Sequence, residues 1–213
     1  NFPFIDYIAR LKKPMIVSTG MSLPEEINET VKIIKRHGTP LVLTHCVSAY
    51  PCPYEIMNLN FISELARKYK IPVGLSDHTP SIYNALGAVS LGASVIEKHF
   101  TFNKKLSGPD HKSSIDSQEL EMLIKGSNAN FLARGSKKII FKEEEEIIIW
   151  ARESVVSIKK IPSNHTLSLK NISTKRPSPK KDQIPANKFF KILGKKTKKN
   201  IPKDKILNFK DIK

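Results

Sequence analysis

Along the first two thirds of the chain, apolar residues alternate between two rhythms. Short apolar runs end in small or polar residues, and between them lie stretches whose apolar positions recur at helical spacing. Met15–Val17 leads into Ser18-Thr19-Gly20, which predicts a strand ending in a turn. Pro24-Glu25-Glu26 then opens a helix. Proline fits a first turn whose N–H lacks a helical partner, and acids there meet the positive end of the helix dipole. Ile27, Val31, Ile33 and Ile34 carry the apolar spacing, and His37-Gly38 stops it. The alternation continues with strands at Leu41–Cys46, Pro72–His78 and Ser94–Phe100. Helices are predicted at Asn58–Lys70, Ser81–Leu91 and Ser117–Ala133, with another at Phe4–Leu11 ahead of the first strand. Strands alternating with helices imply parallel pairing and right-handed crossovers, so the fold class is α/β. A doubly wound sheet and a (β/α)8 barrel both satisfy this pattern.

The rhythm changes after residue 135. Residues 136–153 hold the acidic run Glu143–Glu146 followed by Ile147–Trp150, which predicts a connecting arm with a solvated charged face. From Ser154 onward the apolar segments shorten to Ser154–Ile158, Thr166–Leu169 and Ile192–Lys195, punctuated by Pro162, Pro177, Pro179, Pro185 and Pro202. The organisation expected is an α/β domain over 1–135, an arm over 136–153 and a small, mostly β domain over 154–213.

Charge adds a second contrast. Of the formal net charge of +16, little resides in residues 1–153, which carry 19 Lys and Arg against 17 Asp and Glu. Residues 154–213 carry 17 against 3. That balance raises a nucleic-acid or anion-binding surface. Against it, the basic residues are 30 Lys and only 6 Arg, and the aromatics of the segment are Phe189, Phe190 and Phe209. A nucleic-acid surface usually carries more Arg and interleaved aromatics, so a nucleic-acid partner is not expected. No apolar run is long enough to span a bilayer. Cys46 and Cys52 form neither a disulfide framework nor a zinc motif, and the default expectation is a cytoplasmic protein.

In parallel α/β folds chemistry collects at the carboxyl ends of strands. Here those ends read Ser18-Thr19-Gly20, His45-Cys46, Ser76-Asp77-His78 and Glu97-Lys98-His99. Residues two apart on a strand share a face, so Ser76 points with His78, and Glu97 with His99. Two His on consecutive strand ends beside a carboxylate can hold a divalent ion whose other positions go to water or substrate. His45 is open between a ligand and a structural role. Ser18-Thr19-Gly20 before a helix start is a weak anion-cradle signal. Cys46 carries no mark of activation and is assigned to packing.

The segments His45-Cys46-Val47-Ser48-Ala49-Tyr50-Pro51-Cys52-Pro53-Tyr54-Glu55, Gly74-Leu75-Ser76-Asp77-His78-Thr79, Val95-Ile96-Glu97-Lys98-His99-Phe100-Thr101 and Gly108-Pro109-Asp110-His111 closely resemble N-acetylneuraminate (sialic acid) synthases. Lys13–Met21 fits the same pattern, and order and spacing agree over most of the chain. The resemblance implies the second half of a TIM barrel followed by an antifreeze-like (SAF) domain. It implies condensation of phosphoenolpyruvate with an N-acetylated hexose such as N-acetylmannosamine, in a domain-swapped homodimer. By the same resemblance His78 and His99 are ligands of Mn2+ or Mg2+. Ser18, Ser48 and Ser76 contact phosphoenolpyruvate, and Tyr50 and Asp110 contact the sugar. Glu97, on the face of His99, is the catalytic candidate within this chain and orients substrate or ligand; the resemblance places the family's own catalytic Glu and phosphate-binding Lys in the first half of the barrel. Arg176, in Lys175-Arg176-Pro177, reaches the acceptor's N-acetyl group in the partner's site, although the loop after it lacks the family's Gly. Since a TIM barrel needs about 250 residues, the chain is expected to be amino-terminally truncated and inactive alone. The alternative reading is a non-catalytic glycan- or anion-binding module.

Overall fold

A computed structural model describes residues 1–213, which divide into two compact units, Asn1–Ser136 and Lys137–Lys213. The first unit begins with α1 (Phe2–Arg10) and then runs β1 (Met15–Ser18), α2 (Pro24–Arg36), β2 (Leu41–Cys46), α3 (Asn60–Tyr69), β3 (Val73–Asp77), α4 (Tyr83–Ser90), β4 (Ile96–Lys98) and α5 (Ser117–Ala133). The four strands form one parallel sheet in sequential order β1-β2-β3-β4. Sequential parallel order with a helix between strands is the arrangement of a half-barrel. The choice left open by the sequence pattern is thereby resolved.

The core forms where the outward residues of the strands meet the helices. Leu41, Leu43, Val73 and Leu75 pack with Ile27, Val31, Ile34, Ile62 and Leu65. Helix ends follow local chemistry. Asp116 and Glu119 cap α5 reciprocally, at 2.9 and 3.1 Å. At α2 only half of that device is present, because Leu23 has no polar side chain; Glu26 accepts the Leu23 N–H at 2.7 Å. β4 is shorter than the expected Ser94–Phe100. Its last residues are drawn into a separate contact, with Ile115 N–H donating to the His99 carbonyl at 2.8 Å and Phe100 bridging Ile115.

In the second unit, α6 (Glu145–Ala151) precedes β5 (Ser154–Ser157), which pairs antiparallel with β6 (Ile172–Lys175). Isolated bridges such as Val156↔Ile206 and Ile161↔Ile201 complete a compact β-rich unit. Its core is Val155, Ile161, Leu167, Ile172, Ile184, Ile192, Ile201 and Leu207. Two segments differ from expectation. Ile192 ends a short helix, α7 (Phe189–Ile192), and pairing resumes at Lys196 and Thr197. The expected strand over Ile192–Lys195 is thus a helix end, because Phe189 and Ile192 at i, i+3 both turn to the core. β6 escaped notice because Ile172 is its one large apolar residue; the rest is Ser, Thr and Lys.

Two clasps are testable. Asp6 on α1 accepts from Arg36 Nη2 at 2.5 Å, from His37 at 2.6 Å and from Arg10 Nε at 2.9 Å, joining α1 to the end of α2. The Arg36 and His37 hydrogen bonds hold its carboxyl well below the usual carboxylate range. A depressed folded pKa means the clasp stabilises above the ordinary carboxyl value, about 4, and fades as pH falls below it. Asp6→Asn is therefore expected to lower the urea midpoint at pH 7, with the gap to wild type closing below about pH 4; a gap independent of pH would refute the clasp. In the second unit, fully buried Ser154 donates through Oγ to the Pro177 carbonyl at 2.8 Å. Ser154→Ala is expected to cost about 1 kcal/mol, read from urea unfolding followed by the fluorescence of Trp150, the chain's one Trp.

Candidate functional site

Strand alternation separates two kinds of side chain at the carboxyl ends of β2–β4. Leu75 and Ile96 face the helices, and Asp77 and Lys98 continue that outer face. Ser76, His78, Glu97 and His99 take the inner, concave face. Pairing of β3 with β4 sets Ser76 opposite Glu97. The buried Ser76 hydroxyl donates to Glu97 Oε1 at 2.7 Å, while Glu97 stays open to solvent. Two residues further on, the His78 and His99 rings lie 5.3 Å apart between centroids, edge to face.

His78 is held from several sides. Its Nδ1 lies 2.8 Å from the Val47 carbonyl, which can only accept, so Nδ1 donates there and Nε2 is the ring nitrogen left for a ligand. Its own carbonyl accepts from the Cys52 N–H at 2.9 Å. The Tyr50 ring covers it at 4.2 Å and reaches His99 at 5.8 Å. Asp110 comes from the loop after β4, its carboxylate 3.9 Å from His99 Nδ1. That loop is tied by a 2.8 Å hydrogen bond between Thr101 Oγ1 and His111 Nδ1 and by Ser114 Oγ donating to the Asp110 carbonyl.

The loop of Ser48 closes the other flank. A Cβ at Gly20 would stand 2.3 Å from Ser48 Oγ and 3.0 Å from Cys46 Sγ, so a larger residue there would displace the Ser48 hydroxyl. An open cavity of about 630 Å3 lies beside it, lined by Thr19, Met21, His45, Cys46, Ser48 and Phe61 among others. Burial pushes the Cys46 thiol up, which keeps it protonated and agrees with a packing role. Its Sγ is 3.9 Å from His78 Nδ1, whose proton already goes to Val47.

The structure thus gathers Ser48, Tyr50, Ser76, His78, Glu97, His99 and Asp110 at one rim. Ser18 closes β1 opposite Thr44, exposed at the sheet's edge. Arg176 belongs to the second unit, where its guanidinium lies 5.0 Å over the Trp150 ring. His45 falls on the structural side. It is buried, its Nε2 bonds the Met57 carbonyl at 2.7 Å, and burial pulls its pKa down. Sequence reasoning passed over the pair on the outer face, Asp77 and Lys98, at 3.0 Å with side chains 0% and 4% exposed. Its signal was present: opposite charges at the same position of two adjacent strand ends.

His78 and His99 suit a divalent ion. His78 is fixed by a carbonyl on one ring nitrogen and free on the other, as metal-bound imidazoles commonly are. No third His, Cys, Asp or Glu completes a ligand set with them. Any further positions on such an ion would fall to water or substrate.

Comparison with known proteins agrees with this arrangement. The NeuB family model matches residues 1–139 and the SAF domain model residues 152–213. The chain is 39% identical over 97% of its length to an N,N'-diacetyllegionaminic acid synthase of Campylobacter jejuni, covering 62% of that protein. It is 34% identical over 96% of its length to the N-acetylneuraminate-9-phosphate synthase of Mus musculus, covering 57% of it. The solved N-acetylneuraminic acid (sialic acid) synthetase of Leptospira borgpetersenii, in complex with citrate, superposes with a TM-score of 0.66 at 35% identity. That match covers 70% of this chain and 52% of the other. The chain therefore spans less than two thirds of the length of these relatives. With a family model matched across most of the chain and a half-barrel whose strand ends carry the motif residues, the chain belongs to the NeuB family and carries a SAF domain over residues 152–213.

Proposed function

We propose that this chain is the part of a nonulosonate synthase that carries the two imidazole ligands of a divalent ion and contacts to both substrates. The reaction joins C3 of phosphoenolpyruvate to the aldehyde carbon of an open-chain N-acetylated hexose such as N-acetylmannosamine. Water adds at C2 of the phosphoenolpyruvate, inorganic phosphate leaves, and a nine-carbon 2-keto acid such as N-acetylneuraminate results. The names of the relatives support the class, since they are synthases of nonulosonic acids. The observation that carries the reading is the pair of imidazoles, His78 and His99, set one step beyond Ser76–Glu97 on a concave parallel sheet.

Each residue has a task in this reading. Ser18, Ser48 and Ser76 hold the phosphoenolpyruvate. Tyr50 and Asp110, flanking the imidazoles, contact the sugar. Glu97, braced by Ser76, orients the reacting groups and exchanges protons with the sugar oxygen. His78 and His99 would hold a divalent ion, Mn2+ or Mg2+, which would supply Lewis-acid polarisation of the sugar aldehyde. His78 contributes Nε2, since its Nδ1 proton is committed to Val47. Arg176 serves the acceptor's N-acetyl group in a partner's site within a domain-swapped homodimer. Lying over the Trp150 ring, the exposed guanidinium keeps N–H groups available for hydrogen bonds. Turnover belongs to a protein in which further βα units close the barrel, because four strands are half of the eight it requires.

Two experiments test this. Titration of the chain with Mn2+ is expected to show one site that weakens about tenfold or more in His78→Ala and in His99→Ala. His165→Ala, at an exposed loop position, leaves it unchanged; equal binding by all four proteins removes the metal role. In a closed-barrel protein carrying this segment, Glu97→Gln is expected to lower kcat for phosphate release by about 100-fold or more, with Mn2+ binding intact. A kcat within threefold of wild type removes Glu97 from catalysis.

A further inference from the structure

Directly behind the imidazole pair lies a polar knot to which the reaction assigns nothing. Asp77 sits between Ser76 and His78, and Lys98 between Glu97 and His99, so both point away from the concave face. Lys98 Nζ donates to Asp77 Oδ2 at 3.0 Å, with the two side chains 4% and 0% exposed. The other donors to Asp77 are the Thr79 N–H at 2.9 Å and the Thr79 hydroxyl at 3.1 Å. Lys98 also donates to the Thr79 carbonyl. Next to the knot, Lys104 donates to the Pro80 carbonyl at 3.1 Å and to both Glu119 oxygens at 2.9 Å, tying in the start of α5.

A buried ion pair is a poor source of stability. The cost of desolvating both charges cancels most of their attraction, and apolar replacements are often as stable. What such a pair does provide is geometry, since a carboxylate and an ammonium in the interior tolerate little displacement. Here the geometry has a specific consequence. On a strand, fixing one residue fixes the direction of its two neighbours. Locking Asp77 to Lys98 therefore locks His78 against His99, and Ser76 against Glu97. Close to the ends of β3 and β4, few ladder hydrogen bonds remain to do this: β4 is only Ile96–Lys98.

We infer that the Asp77–Lys98 pair is a positioning device for the imidazole dyad. It acts from the opposite face of the sheet, holding His78 and His99 at the separation a shared ion or aldehyde oxygen requires. The inference rests on the function proposed above for His78 and His99. The pair touches no substrate in this reading and works only through the neighbouring backbone.

The test uses the whole chain. In Asp77→Asn with Lys98→Met, both charges go, shape is nearly kept, and residue 77 still offers an acceptor to Thr79. Expected are a melting temperature within a few degrees of wild type and Mn2+ affinity lowered about tenfold. A second readout needs no metal. Two-bond 1H–15N spectra of the His side chains are expected to show wild-type His78 as a single Nδ1–H tautomer, and the double variant as a mixture. Lys104→Met, which cuts the partly buried neighbour of the knot, changes neither. Should the double variant not fold, Lys98→Gln, which keeps an uncharged donor, is read the same way. Mn2+ affinity within twofold of wild type together with an unchanged His78 spectrum overturns the inference. If wild type binds no Mn2+, the metal reading fails, and the His78 spectrum alone decides whether the pair positions the dyad.

Discussion

In-register pairing of β3 with β4 is the constraint from which the site follows. Once Ser76 lies opposite Glu97, alternation leaves no freedom in what comes next: His78 and His99 must share the concave face, and Asp77 and Lys98 the helix face. A one-residue slip of β4 would turn that strand over. It would bury Glu97 and His99 on the helix side, set Lys98 into the groove and part it from Asp77. The apolar residues oppose such a slip, since Ile96 would leave the helix interface at the same time. Hydrophobic packing thus sets the register coarsely, and the Asp77–Lys98 pair refines it where apolar packing stops.

The small unit solves a different problem. In the proposed function it presents one exposed guanidinium, that of Arg176, from a loop rich in proline and lysine. Fully buried Ser154 grips the Pro177 carbonyl, and the Ser178 N–H donates to the Ile149 carbonyl at 3.0 Å. The segment after Arg176 is thereby held by β5 and α6 without the glycine that the family resemblance led one to look for. The sequence read the arm as a solvated connection. In the structure its last turns form α6, and Trp150 lies under Arg176. Half-exposed Trp150 looks out of place on a surface until its partner is seen.

How much was legible beforehand depends on the range of the interaction. The βα rhythm, the pairing of His78 with His99 and the packing role of Cys46 all follow from strand period and apolar spacing, which are local. His45 could not be decided that way. Its fate hangs on the Met57 carbonyl, twelve residues away across a proline-rich loop. The Val47 carbonyl that selects the His78 tautomer is a backbone group, and sequence says nothing of where it points. In the small unit, β6 lacked apolar alternation because only Ile172 turns to the core. That strand is specified by its partner β5, whose burial is complete.

The exposure of the rim separates binding from turnover. The His99 and Asp110 side chains are 32% and 58% open to water, and Ile16 on edge strand β1 is 58% exposed. Imidazole ligation of an ion tolerates water, because water can fill the remaining coordination positions. The proposed condensation does not tolerate it equally. Charge developing on the sugar oxygen and the departing phosphate is stabilised far more by fixed dipoles in a closed, low-dielectric site than by groups facing solvent. A concave sheet with two open edges supplies the first condition and not the second. In the proposed function the imidazole dyad and its support lie within this chain, and the enclosure that turnover needs would come from polypeptide packed against β1 and β4.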